Sequence, residues 1–374
     1  MAGYGHGVNR NDTSKDIAVG LLVDPGLAAK LADRLHGSLP ERLRAAVDDT
    51  VRWTVDTVQD PFEAMYPDIG LLMEKACAHV RGTVWDLVIC VTDQPMLNGR
   101  DVVAASLHTA ERVAVISLPA LGGLHHHRLH TVVMAAVACL LTEDGTRETG
   151  LRRNLPMPTY SVFRSDAHLD VILRRRWALF QAVVGMVRVN RPWRLFRGLS
   201  MALAGALAGM TFGILYSTIW TLASALGTVR LIAVTGVGVA VLAVWIIAGH
   251  ELWESGKRDP EIRLRNISTV ATVAVGAVAF FATLFLIALA AVALVVPPAY
   301  LAGVLGHPVG FPDYLTIALM ASVLGTLAGA VGSGLENDTA VREATYGYRA
   351  RQRRDRVERD AESGTTPTQR YRRD

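Results

Sequence analysis

Residues 17–23 (IAVGLLV) form an unbroken apolar run closed by Asp24-Pro25-Gly26, which predicts a buried strand ending in a turn. Leu27, Leu31 and Leu35 then recur at helical spacing, and 40–47 predicts a further short helix. Val51, Trp53, Val55 and Thr57 alternate with polar neighbours, as a half-buried strand does. Residues 67–80 predict a helix with Ile69, Leu72, Ala76 and Val80 inward and Pro67 in its opening position. Residues 85–91 (WDLVICV) read as a central strand, broken by Thr92-Asp93-Gln94-Pro95, and Asn98-Gly99 marks a turn. Two more strands are expected at 102–107 and 112–118, and a strongly apolar helix at 130–141. After a polar break at 143–149, residues 155–163 fit a strand or an ordered loop. Strands and helices alternating at these lengths predict a layered α/β domain over 17–165, with a mostly parallel or mixed sheet.

Beyond residue 198 the pattern changes. Residues 201–220, 231–248, 268–296 and 314–331 are four apolar runs without Asp, Glu, Lys, Arg or His inside them. A membrane span needs about 20 apolar residues, so 198–335 is expected to be an all-α transmembrane bundle of four helices, with Pro297 and Pro298 ending the third. Basic residues fix its orientation. Arg174, Arg175, Arg176, Arg188, Arg191, Arg194 and Arg197 precede the first run, and Lys257, Arg258, Arg263 and Arg265 lie between the second and third. Arg342, Arg349, Arg351 and further arginines follow the fourth, whereas the two opposite connections hold only Arg230. Four spans put every basic segment on one side, which predicts a multi-pass protein of the cell membrane with both termini cytoplasmic. Without an ionisable group inside a span, coupled transport is disfavoured. Gly205, Gly209 and Gly213, and Gly325 and Gly329, recur four apart; such stripes serve packing inside a bundle or a dimer seam, or simply reflect glycine-rich membrane helices.

Residues 166–197 read as an amphipathic connector. Trp177, Phe180, Val184 and Val187 share one apolar face, and the segment 192–197 (PWRLFR) sets Trp193, Arg194 and Arg197 where an interface anchor needs rings and positive charge. A helix packed on the α/β core is the alternative for part of it. Composition adds little: 51% of the 374 residues are apolar and 19% charged, the apolar excess lying in the second half. The net charge of +4 is explained by arginines beside the spans, so no nucleic-acid partner is expected. The tail 336–374 mixes arginines with acids and reads as solvated. Residues 1–16 lack an apolar h-region, which predicts a disordered lead-in rather than a signal peptide. Cys77, Cys90 and Cys139 have neither metal spacing nor an even count, and fit buried free thiols.

Candidate chemistry is sparse. Asp24 and Asp93 each follow a buried strand, where open α/β sheets bind ligands; strand-ending turns use Asp as well. No Walker A pattern and no Rossmann glycine fingerprint follows the first strand. His126 and His130 are four apart in a His-rich stretch (HHHRLH), a spacing that holds zinc on a helix, with His108 the nearest further ligand. No Glu lies between them to act as general base, and a polar helix start explains the same residues. The cofactor is unknown.

Residues 86–93 (DLVICVTD) with 112–118 (RVAVISL) resemble the core strands of archaemetzincin-type zinc peptidases. That family carries HExxH on the helix after its second strand; here the corresponding stretch from Arg128 retains only His130. The resemblance covers about 17–142 and implies a related fold without the catalytic residues. The whole chain resembles multi-pass bacterial membrane proteins. Three functional readings follow. The first is a non-catalytic membrane protein whose cytoplasmic domain binds a partner or small ligand, anchored in the lipid bilayer and dimerised by the bundle. The second is a membrane-linked metal-dependent hydrolase, and the third a passive permease or export component.

Overall fold

A computed structural model describes residues 15–24, 26–59, 73–74, 76–77, 81, 83–123, 125–142, 155, 159–165, 167–190, 200–254 and 260–334. The chain divides into two compact units, Met1–Gln181 and Ala182–Asp374.

The first unit is built on one mixed sheet. Its strands are β1 (Lys15–Val23), β2 (Val51–Gln59), β3 (Leu87–Thr92), β4 (Met96–Asn98), β5 (Asp101–His108), β6 (Val113–Ser117), β7 (Thr159–Ser165) and β8 (His168–Leu173). They run in the order β2-β1-β3-β6-β5-β8-β7, with β4 paired to β5. The first four in that order are parallel, and the β6-β5, β5-β8 and β8-β7 pairs are antiparallel. The helices α1 (Leu27–His36), α2 (Leu39–Ala46) and α3 (His125–Leu141) belong to this unit. Helix α1 buries Ala28, Leu31, Ala32 and Leu35, the face set by its leucine spacing.

Every residue of β3 is buried, as a strand covered on both faces requires. Leu22, Val88, Cys90, Val113 and Val115 form one core cluster with Met73, Ala76 and Cys77. Those last three are helical, while most of the helix expected at 67–80 lies outside the described residues. Gly20 is needed in β1 because the Trp85 ring lies over it: a Cβ there would stand 2.2 Å from a ring carbon. The turn read at Asn98-Gly99 closes the β4–β5 hairpin, where Asn98 pairs with Asp101 and Gly99 takes φ +63°.

One expectation fails near the end of this unit. The connector was expected from residue 166, but His168–Leu173 is a strand of the sheet and the helix begins only at Arg175. Asp170 disguised this strand, interrupting its apolar run; it is fully buried because Ser106, its partner on β5, donates Oγ to Asp170 Oδ1 at 2.7 Å. The following helix, α4 (Arg175–Asn190), buries its small residues and exposes its aromatic ones. Ala178, Ala182, Met186 and Val189 are buried, whereas Trp177 and Phe180 are exposed.

The second unit contains α5 (Ser200–Leu215), α6 (Ser217–Ala225), α7 (Thr228–Gly249), α8 (Pro260–Val295), α9 (Pro298–Leu305) and α10 (Phe311–Ser333). Helices α7, α8 and α10 are long and apolar enough to cross a membrane, and α5 with α6 makes a fourth crossing if that bent pair is one span. At 22 residues, α7 is about 33 Å long, matching the hydrocarbon core. The first apolar run therefore forms a bent pair of helices. It bends by 81° at Tyr216, whose backbone is extended, and Trp220 Nε1 donates to Gly213 O across the break at 3.2 Å. The connection after the third run, expected as a loop, holds α9. Pro298 opens it, and Gly306 ends it in the left-handed conformation that glycine adopts without strain.

Helix α10 is the centre of this bundle and packs against α5, α7 and α8. Of its most apolar window 61% is buried, against 22% for α7 and α8, so those two present most of their apolar side chains outward. Leu286 is 65% and Leu294 87% exposed. Exposed aromatic residues mark both ends: Trp245 and Trp253 at one, Tyr216, Tyr300 and Phe311 at the other.

Candidate functional site

The parallel half of the sheet places β2 on one side of β1 and β3 on the other. The crossovers leaving β1 and arriving at β3 thus run to opposite sides, and the strand order reverses between these two strands. At such a point the loops after the strands diverge and leave a crevice at their carboxyl ends. Asp24 follows β1 and Asp93 follows β3, so the two aspartates singled out from the sequence stand side by side at this switch point.

Both side chains are buried, Asp24 completely and Asp93 to within 2%. Asp24 N donates to Val91 O at 3.1 Å, which carries the β1–β3 ladder one residue further and fixes where the carboxylate sits. Thr92 Oγ1 donates to Asp24 Oδ2 at 2.8 Å and accepts from Gln94 N at 3.1 Å, so its hydroxyl proton is aimed at the carboxylate. Ser117, at the end of β6, donates to Gln94 O at 2.5 Å, and Leu118 N to Thr92 O at 2.9 Å. Gly26 closes the wall at φ +124°, and a Cβ built on it would stand 3.7 Å from Asp93 Oδ2. Two carboxylates and two hydroxyls thus line the ends of three adjacent parallel strands. This arrangement accepts hydrogen bonds, and suits ligands that bring hydroxyl or amine donors. Thr92, Gln94 and Ser117 were not singled out from the sequence. The strand-end position that exposed the aspartates also marked Thr92, but Ser117 needed the β3–β6 pairing.

The histidines are arranged differently from a zinc peptidase motif. His108 ends β5 facing His168 on β8, with ring centroids 4.6 Å apart in an edge-on contact. Its Nδ1 accepts from Glu111 N at 3.1 Å. Glu111 is bound by Arg81, whose hydrogen bond holds the carboxyl below the usual carboxylate range. His130 lies half-buried on α3, while the side chains of His125 and His126 fall outside the described residues. Among the described residues no three His, Cys, Asp or Glu side chains group closely enough to hold a metal ion. Cys77, Cys90 and Cys139 are buried and not disulfide-bonded; burial, reinforced by Glu111, pushes the Cys77 thiol up to about 11.

In the second unit the glycines meet one another within one chain. A Cβ on Gly205 would stand 3.0 Å from Ala328 O, one on Gly209 2.5 Å from Ala328 Cβ, and one on Gly213 2.5 Å from Ala321 Cα. From the other side, a Cβ on Gly325 would stand 2.8 Å from Ala206 O and one on Gly329 3.0 Å from Ala202 O. Gly332, not singled out beforehand, extends the seam: a Cβ there would stand 2.8 Å from Met201 O. The stripes are the contact between α5 and α10, as close helix approach in membranes requires. Trp193, Arg194 and Arg197 lie outside the described residues. Polar side chains gather towards the Arg-bearing end of α8: Arg265 pairs with Glu254 at 2.9 Å, and Asn266 exchanges two hydrogen bonds with the Glu254 backbone.

Compared with protein family models, with curated proteins and with solved structures, the chain finds no match in any of the three.

Proposed function

We propose that this chain is a non-catalytic protein of the cell membrane, with both termini cytoplasmic, whose α/β domain binds a small ligand or a partner group at Asp24 and Asp93. The observation that carries this reading is the convergence of two buried carboxylates at the carboxyl ends of β1 and β3, where the strand order reverses. The bundle anchors the domain in the lipid bilayer, and the one-sided distribution of arginines supports the orientation. Bundle-mediated dimerisation has less support, because the glycine stripes are occupied between α5 and α10. The bend at Tyr216 is no argument for a permease, since the Gly213 carbonyl beside it accepts from Trp220.

The test uses the full-length protein in lipid nanodiscs and a panel of nucleosides, sugars and polyamines, read by thermal unfolding. A ligand at about one hundred times its Kd stabilises by ~2.7 kcal/mol. At least one class should raise the midpoint of the native protein and leave that of Asp93→Asn unmoved. A panel without any shift, or a shift retained by Asp93→Asn, overturns the site.

A further inference from the structure

We propose that α4 lies along an anionic lipid surface, with Trp177, Phe180 and Val184 turned into the headgroup region; this rests on the bundle being in lipid. The helix spends its small residues on packing. Ala178, Ala182 and Gly185 are buried with Met186 and Val189, while Trp177 and Phe180 are each 65% exposed and Val184 is exposed on the same face. The two rings hold each other edge-on at 6.1 Å, so the aromatic face is ordered yet uncovered. Large rings left in water forgo the burial that usually makes them worth keeping.

Three features of the chain identify the cover as lipid. Asn190, in the last turn of α4, is buried and donates Nδ2 to Thr272 Oγ1 at 3.2 Å. Thr272 lies on α8, about 10 Å along that helix from Arg265, so the end of α4 is held at the arginine-bearing end of a membrane-crossing helix. The stretch from Asn190 to Ser200 reaches at most about 35 Å even when extended, which tethers the C-terminal end of α4 to the start of α5. Charge fits as well. Arg174, Arg175, Arg176 and Arg188 stand in or beside the helix, and no Asp or Glu occurs between Val171 and Asn190. An apolar aromatic face bordered by arginines is how a helix lies in the plane of an anionic interface.

The test places single cysteines in the full-length protein, labels each with an environment-sensitive fluorophore, and reconstitutes it in nanodiscs containing spin-labelled lipid. Phe180→Cys reports on α4, Leu286→Cys on the lipid-facing side of α8, and Val84→Cys on exposed surface of the α/β unit. The native cysteines are buried, and unsubstituted protein gives the labelling background. Lipid quenching several-fold stronger at positions 180 and 286 than at 84 is expected. Quenching at 180 should also be stronger in phosphatidylglycerol than in phosphatidylcholine, and should weaken when Arg174 and Arg188 become Gln. Trp177→Cys gives the same reading if Phe180→Cys expresses poorly. Quenching at 286 without quenching at 180 overturns the proposal while leaving the anchored bundle intact. A label at 180 shielded from aqueous iodide but not reached by lipid quencher overturns it in favour of a protein cover. An unquenched 286 removes the lipid placement itself.

Discussion

The two units differ in what their closest contacts are made of: large aliphatic side chains in the sheet, small residues along the α5–α10 seam of the bundle. In the sheet, Leu21, Leu22, Leu87, Ile89 and Ile116 are fully enclosed, and the exposed positions of β2 are Arg52, Thr54, Asp56 and Gln59. In the bundle, α10 encloses Ala318, Ala321, Ser322, Gly325, Thr326, Gly329 and Ala330 along one side, while Leu242 and Ile246 of α7 and Phe280 and Leu284 of α8 turn inward and many other large side chains of these two helices point out. The contrast is one of solvent. Water drives the sheet to hide its aliphatics, at about 25 cal/mol per Å². Lipid gives no such drive between helices, so they associate by close backbone contact, for which a side chain beyond Cβ is an obstacle. The outward apolar side chains of α7 and α8 have the same explanation.

That contrast can be broken where it predicts the largest effect. Gly209→Val and Gly213→Val drive side chains into Ala328 and Ala321, and should destabilise the bundle by ~1–3 kcal/mol or more. Gly236→Val, with nothing within 4 Å of its Cβ, should be tolerated. Retention of a monodisperse peak after heating in detergent compares the three; equal behaviour would mean that α5 and α10 do not meet at these glycines.

A comparable effect is expected in the sheet, but from a single contact rather than a seam. Gly20→Ala displaces the Trp85 ring and the hydrogen bond from its Nε1 to Asp56, and should cost ~1–3 kcal/mol. Gly37→Ala, whose Cβ meets nothing within 4 Å, is the neutral control. Tryptophan emission during urea unfolding reads both, and an unshifted midpoint for Gly20→Ala would place Trp85 elsewhere.

The smallest effect concerns pH. Because the folded protein holds the Cys77 proton to about 11 and an ordinary thiol loses it near 9, unfolding releases a proton across that window. Stability from this group is intact below about 9 and falls as pH rises towards 11. Alkylation of Cys77 should be slow at neutral pH and accelerate over the same range. Replacing Glu111 by Gln removes the second cause of the shift and should bring the acceleration to lower pH. Rapid labelling at neutral pH would mean that the thiol is not buried beneath β3.

How legible each part was followed from how local its cause is. The apolar runs of β1 and β3, the Asp at each end and the glycine spacing of α5 and α10 are properties of short segments, and could be read directly. The strand His168–Leu173 could not, because Asp170 becomes a core residue only opposite Ser106. The bend at Tyr216 has no proline or glycine at the break, and is held by Trp220 reaching back to Gly213. On α4 the periodicity found the apolar stripe but left open whether it met the α/β core or an interface, since spacing locates a face and says nothing of what it meets.

By itself the sequence determined that one unit would be layered α/β and the other a set of apolar helices, because hydrophobic period and run length are written along the chain. Only the tertiary structure decided that Asp24 and Asp93 end neighbouring strands where the strand order reverses, that the glycine stripes face each other, and that Trp177 and Phe180 are exposed. Those are relations between segments distant in sequence or between a segment and its surroundings. They are set by strand order, close packing and solvent rather than by any local pattern.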